Sequence, residues 1–205
     1  MNILIVTSSA QGAASVSSRL TATFADQLRA AHPDSRIVVR DVGRNPIPHL
    51  TEANVAGVRA EAQTETEIAA RDLSDELIAE VRAADLVVIG SPMYNFGISS
   101  TLKAWFDHVL RPRIAFRYTE KGPEGLLGDR KVVVIESRAG LYPAGDPSDS
   151  QEPHLRQMLA FAGLTDVTFV RADKLAFGPE ATAASLSEAE AALAALARQE
   201  LPLAA

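Results

Sequence analysis

Between Ser8 and Ser18 the chain carries five serines and no acidic residue, directly after a short aliphatic run and directly before a helical pattern. Hydroxyls at a helix start can cap its unpaired N–H groups, and they can donate to an anion that the helix dipole already attracts. The stretch is therefore a candidate phosphate cradle. Ser15 or Ser17 acting only as an N-cap is the competing reading. The sequence contains no G-x-x-x-x-G-K-[ST], and no G-x-G-x-x-G follows the first aliphatic run, which removes the triphosphate loop and the usual dinucleotide fingerprint. A mononucleotide phosphate fits better.

Two further segments have the character of ligand loops. Val87, Val88 and Ile89 show no apolar and polar alternation, as expected of a strand covered on both faces, and Gly90-Ser91-Pro92 ends the run before Met93, Tyr94, Asn95 and Phe96. Open α/β sheets bind ligands just beyond the carboxyl ends of their strands. A second strand, Lys131 to Ser137, ends in Ser137-Arg138-Ala139-Gly140, where small residues let backbone N–H groups approach a ligand closely. Tyr118, in the Pro- and Gly-rich stretch from Arg111 to Asp129, is placed to line a cleft or close over it; a solvated arm is the alternative. Phe161 falls off the apolar stripe Leu155, Met158, Leu159, Ala162 of its helix, which marks an interface or pocket.

The elements that must position these loops follow from periodicity. Strands are expected at Asn2 to Thr7, Ser35 to Asp41 (core Ile37, Val38, Val39), around Val87, at Lys131 to Ser137 and at Asp166 to Ala172. Helices are expected from Val16, with Leu20, Phe24 and Leu28 at spacing four; over Glu67 to Ala84; through Leu102, Trp105, Phe106 and Val109; over Glu152 to Ala162; and over Ser187 to Arg198, with a smaller one at Thr51 to Arg59. Five strands alternating with about five helices predict one α/β domain over residues 1–205. Its architecture is a three-layer α/β/α sandwich, flavodoxin-like, around a five-stranded parallel sheet of order 2-1-3-4-5.

Composition narrows the function. The net charge of -6 disfavours nucleic acid or an anionic membrane as a partner. The absence of cysteine removes disulfides, thiolate nucleophiles and thiolate metal sites, and His32, His49, His108 and His154 have no metal-ligand spacing, so no metal is expected. Gly97-Ile98-Ser99-Ser100-Thr101 lacks the second glycine of a serine-hydrolase elbow. The first apolar run is too short for a signal segment, and a cytoplasmic protein is expected.

At this point the chain resembles the FMN-dependent NADH-azoreductases, relatives of the NAD(P)H:quinone reductases. The resemblance rests on Ala84-Asp85-Leu86 through Phe96, on Phe116-Arg117-Tyr118-Thr119-Glu120 with Gly122-Pro123-Glu124-Gly125-Leu126, and on Ser137-Arg138-Ala139-Gly140, with Asn45-Pro46-Ile47-Pro48 and Phe177-Gly178-Pro179-Glu180 also similar. It implies bound FMN held by Ser9 and the Ser15-Val16-Ser17 turn, by Met93, Tyr94, Asn95 and Phe96, and by Ser137, Arg138, Ala139 and Gly140. It also implies NADH or NADPH as donor, quinones or azo compounds as acceptors, a two-electron ping-pong hydride transfer, and a homodimer in which Tyr118 and Phe161 line the substrate pocket. Ala139 departs from the glycine usual at its position. No side chain is marked as an obligatory acid or base. A flavodoxin-like electron carrier and a non-catalytic flavin-binding module are the alternative functions of the same fold.

Overall fold

In chain order the strands are β1 (Asn2–Thr7), β2 (Arg36–Asp41), β3 (Leu86–Pro92), β4 (Phe116–Thr119), β5 (Gly122–Gly125), β6 (Lys131–Ser137) and β7 (Val167–Ala172). The helices are α1 (Val16–Ala31), α2 (Val55–Arg59), α3 (Glu65–Ala83), α4 (Ser100–Val109), α5 (Gln151–Phe161) and α6 (Pro179–Ala197). The structure is a computed structural model that describes residues 1–128, 130–143 and 145–199. The expected end of the arm at Asp129 and the chain end from Glu200 lie outside the described residues.

β3 is buried along its whole length, as its unbroken aliphatic run requires. It is the central strand of a parallel sheet in the order β2-β1-β3-β6-β7. The arm supplies β4 and β5, an antiparallel hairpin outside this sheet, and so the numbering differs from the expected 2-1-3-4-5. Side chains alternate strictly between two apolar layers. Leu4, Val6, Val87, Ile89, Val132 and Val134 meet α3, α4 and α5 through residues such as Leu77, Trp105 and Leu159. Ile3, Ile5, Leu86, Val88, Val133 and Ile135 meet α1 and α6 through Leu20, Phe24 and Leu193. Each fully enclosed aliphatic side chain contributes ~1.5–3 kcal/mol, so this alternation fixes the register of every strand.

Two expectations need correction. The expected core of Ile37, Val38 and Val39 in β2 fails at two positions, since Val39 is 58% exposed and Val38 36%. β2 is the sheet's edge, and the helices cover it only partly. The last helix starts at Pro179 rather than Ser187, because Gly178 at φ 99° turns the chain and Pro179 occupies the first helical position, where its missing N–H costs nothing. Elsewhere the caps explain the boundaries. Thr64 and Glu67 form a capping box that starts α3 two residues before the expected position.

Candidate functional site

The three rim segments meet at the carboxyl ends of β1, β3 and β6. Ser8 is fixed first: its Oγ donates to Gly90 O at 2.8 Å, and its carbonyl accepts from Thr101 Oγ1 at 3.2 Å. Ser9 Oγ then lies 3.0 Å from Tyr94 Oη, which also accepts the Ala10 N–H at 3.1 Å. Met93 N donates to Ser137 O at 2.9 Å, tying the β3 loop to the end of β6. Hydroxyl and backbone bonds thus link all three loops into one rim.

Ser15 is the N-cap of α1, with its Oγ accepting from Ser18 N, and the same oxygen is 3.1 Å from Ser17 Oγ. The capping reading therefore holds for Ser15. Capping does not use up the helix start, since the N–H groups of Val16 and Ser17 have no acceptor within the helix and the first turn carries no acidic residue. A cavity of about 530 Å³ borders the turn, lined by Thr7, Ser9, Ala10, Gly12 and Ser18 on one side and by Asp41, Gly43 and Arg44 on the other. The loops pack backbone to backbone there: a Cβ on Gly43 would stand 2.2 Å from Ser9 O. A second cavity of about 400 Å³ lies against the uncovered β2 edge at the amino ends of β1 and β2, away from the carboxyl-end rim.

The β3 loop is a two-residue turn in which Tyr94 N donates to Gly97 O and Gly97 N to Tyr94 O, at 2.9 and 3.1 Å. Asn95 and Phe96 both take positive φ, 47° and 71°. Asparagine tolerates this conformation. Phenylalanine does so at a cost of roughly 1–2 kcal/mol. Its ring is 55% exposed, so packing does not recover that cost within the chain. Strain of this kind is more often kept at functional sites than elsewhere.

At the end of β6, Arg138 N donates to Ala172 O, while the carbonyls of Arg138, Ala139 and Gly140 accept from Leu175, Ala176 and Lys174. Among the described residues the N–H groups of Asn95, Phe96, Ala139 and Gly140 donate no hydrogen bond. Ala139 is exposed and does not take positive φ, so its methyl group suits the backbone it occupies. Tyr142 covers Gly140, where an added Cβ would stand 3.1 Å from the tyrosine ring.

Three residues, Arg138, Phe161 and Tyr118, fall elsewhere than a ligand loop suggests. The side chain of Arg138 is fully enclosed, paired with Glu136 at 2.6 Å and Asp149 at 3.1 Å, and bonded through Nε to Gln151 Oε1 at 3.0 Å. Burial pushes the Glu136 carboxyl up to about 7 against the opposing pull of Arg138. Burial also works against the Arg138 charge, but Glu136 and the other carboxylates outweigh it and hold the guanidinium protonated. Gln151, Glu136 and Asp149 were not singled out from sequence. The available signal was Glu136, a charged residue following four aliphatic ones in a strand read as buried.

Phe161 and Tyr118 stand at the other rim. α5 begins at Gln151, whose Nε2 reaches Ser91 O at 2.9 Å, and runs back along the sheet for 11 residues, about 16 Å at 1.5 Å per residue. At its far end Phe161 packs on Phe116 with ring centroids 4.3 Å apart and on Tyr118 at 6.5 Å. The chain brings these two aromatics together, but not to the serine turn of the same chain.

A doubly wound parallel sheet whose loops converge at one strand-end rim defines an α/β protein of the mononucleotide-binding kind. Residues 1–197 match the family model described as flavodoxin-like fold. An FMN-dependent NADH:quinone oxidoreductase of Hyphomonas neptunium is 51% identical over 199 residues, 96% of each chain. One from Pseudomonas fluorescens is 48% identical over 198 residues, 95% of this chain and 98% of the relative. The crystal structure of an azoreductase from Bacillus anthracis superposes with a TM-score of 0.87 at 26% identity, covering 97% of this chain and 99% of that one. The chain belongs to this family of flavodoxin-like FMN-dependent NADH:quinone oxidoreductases.

Proposed function

We propose that the protein binds FMN at the joined rim and oxidises NADH with a quinone as acceptor, azo compounds serving as further acceptors. The observation that carries this is the Ser9–Tyr94 and Met93–Ser137 linkage, which makes one ligand site of three separate turns. The residues fit the cofactor. The start of α1 suits its phosphate, and the unbonded N–H groups of Asn95, Phe96, Ala139 and Gly140 suit the polar edge of its ring. Each donor to a charged edge is worth ~1.5–3 kcal/mol. When bound, FMN supplies the two-electron chemistry that joins donor to acceptor. Residues of the chain bind and orient it, and solvent is the proposed source of protons.

Phe161 stands one length of α5, about 16 Å, from Gln151 at the rim of its own chain, and Tyr118 lies beside it with ring centroids 6.5 Å apart. They line the substrate pocket of a second copy in a homodimer, which explains why an aromatic cluster with Tyr118 76% exposed faces outward. Among the described residues no helix is long and apolar enough to cross a membrane. A cytoplasmic setting suits a cysteine-free chain that draws on NADH.

Anaerobic titration tests the reading. The purified protein is yellow, NADH bleaches its visible absorbance in one rapid two-electron phase, and quinone restores it. Protein that takes up FMN but does not respond to NADH rejects the enzyme, and protein that takes up no FMN rejects the site.

A further inference from the structure

Glu136 continues the row Val132, Val134 on the face of β6 that α5 covers, and Arg138, one residue past the strand, reaches into the same layer. A row of valines thus ends in an ion pair with both side chains at 0% exposure. Apolar residues in place of a buried pair generally leave a fold equally or more stable, so stability alone does not account for these charges.

Their contacts do. Arg138 reaches Asp149 and Gln151 at the start of α5 and lies 3.8 Å from Asp173 in the turn after β7. Gln151 in turn donates to Ser91 O and Oγ at the end of β3, at 2.9 and 3.0 Å. Arg171 and Arg156 balance Glu152 at the margin of the cluster. One guanidinium therefore sits at the joint of three strand ends, and the residue carrying it immediately precedes Ala139 and Gly140.

We infer that Arg138 is a positioning residue for the cofactor: it touches no ligand, and through Asp149, Gln151 and Asp173 it holds the 137–140 turn in the one arrangement that offers the Ala139 and Gly140 N–H groups to the ring edge. The ligand in this statement rests on the function proposed above. The order of the turn does not.

The test compares the parent with Glu136→Leu/Arg138→Met, which removes both fully enclosed charges together, and with Arg138→Lys, which keeps the charge but not the fork. Full-length protein stripped of flavin is followed by circular dichroism melting, by amide hydrogen exchange at Arg138, Lys174, Leu175 and Ala176, whose N–H groups make the bonds that hold the turn, and by FMN fluorescence quenching. In the double variant the melting midpoint holds, exchange in the turn quickens and the FMN dissociation constant rises, each by about tenfold or more, with Arg138→Lys between it and the parent. Unchanged exchange in a folded double variant overturns the inference, and so does faster exchange with unchanged FMN affinity. If the double variant does not fold, Arg138→Lys decides by the same criteria. If neither folds, Arg138 belongs to the fold rather than to the site, and the inference fails. A parent that takes up no FMN sinks the proposed function instead and leaves the exchange result to judge the turn.

Discussion

The phenol of Tyr94, from the end of β3, closes the turn that follows β1: its oxygen is 3.0 Å from Ser9 Oγ and accepts the Ala10 N–H. Gln11 N adds to the chain by donating to Ser9 Oγ at 3.2 Å. Tyr94→Phe keeps the ring and removes this link. The expected cost is ~1 kcal/mol of stability, with a larger relative loss of FMN affinity because two ligand loops are freed at once. Urea unfolding and FMN quenching on the same preparations check both effects. A Phe variant with parental affinity shows the contact to be idle.

Phe96 at φ 71° makes the opposite prediction. Phe96→Gly relieves the left-handed strain and gives up little packing from a half-exposed ring. Against it stands the extra freedom of glycine in the unfolded chain, leaving a net gain of ~0.5–1 kcal/mol. For a chain of this size the melting midpoint rises by about 1–3 °C. Quinone turnover falls over the same substitution, because the ring leaves the rim. A variant that gains stability and keeps its full rate shows that the strain serves something other than the reaction.

Much of the frame was legible in the chain. Unbroken aliphatic runs gave β1, β3 and β6, because only a sheet covered on both faces tolerates them. The spacing of Leu102, Trp105, Phe106 and Val109 gave α4, and all four are buried. The uncovered edge at Val38 and Val39 was not legible, since strand order depends on long-range pairing that a local run of valines does not encode. The enclosure of Arg138 was hidden for a similar reason. Its partners Asp149, Gln151 and Asp173 lie 11, 13 and 35 residues away in sequence, and only the folded sheet brings them together. A short motif names an arginine without saying which way it turns.

The opposite-rim placement of Phe161 and Tyr118 predicts complementation between chains. Phe161→Ala alters quinone turnover, and it also removes the contact with Phe116, so some stability is lost with it. The cleaner measurement mixes two impaired proteins, one with Ser9→Ala and Tyr94→Phe at the rim and the other with Tyr118→Ala and Phe161→Ala, and lets the subunits exchange. Half of a random mixture of dimers is hybrid, and each hybrid holds one site with every residue intact, so activity returns to about a quarter of the parental value. No recovery places both halves of the pocket within one chain and removes the shared site.

From sequence alone Arg59 is open to two readings, a cation for the 2'-phosphate of NADPH or a side chain facing only solvent, and the choice between NADH and NADPH stays open with it. In the fold its guanidinium donates to Leu110 O and, at 3.2 Å, to Asp107 O, closing the carboxyl end of α4. A cation there stabilises the helix end by ~0.3–1 kcal/mol. Arg59→Ala is therefore expected to lower the melting midpoint and to leave the ratio of kcat/KM for NADH and NADPH as it was. A change in that ratio without a change in midpoint returns Arg59 to the donor site.

Glu136 gives stability a pH dependence whose sign follows from its environment. Burial raises its carboxyl from 4.5 to about 7 on folding, despite Arg138 and Arg171, with Glu152 adding to the rise. Between those values the folded chain holds the proton more tightly than the unfolded chain. Its contribution is complete below 4.5 and is lost as pH climbs to about 7, with a slope of at most ~1.4 kcal/mol per pH unit. Asp173, raised by burial, acts in the same sense. Glu152 stays below its ordinary value despite burial, because Arg171 and Arg156 hold it, and His108 and His154 are lowered by burial; all three favour the fold as pH rises. The total curve mixes these signs, so the comparison must be with Glu136→Gln, which removes one titration and leaves the others. Urea unfolding at about pH 5 and about pH 7 should show the parent losing ground to the variant across the interval. Parallel curves for the two proteins mean that Glu136 stays ionised throughout, held by Arg138 despite its burial.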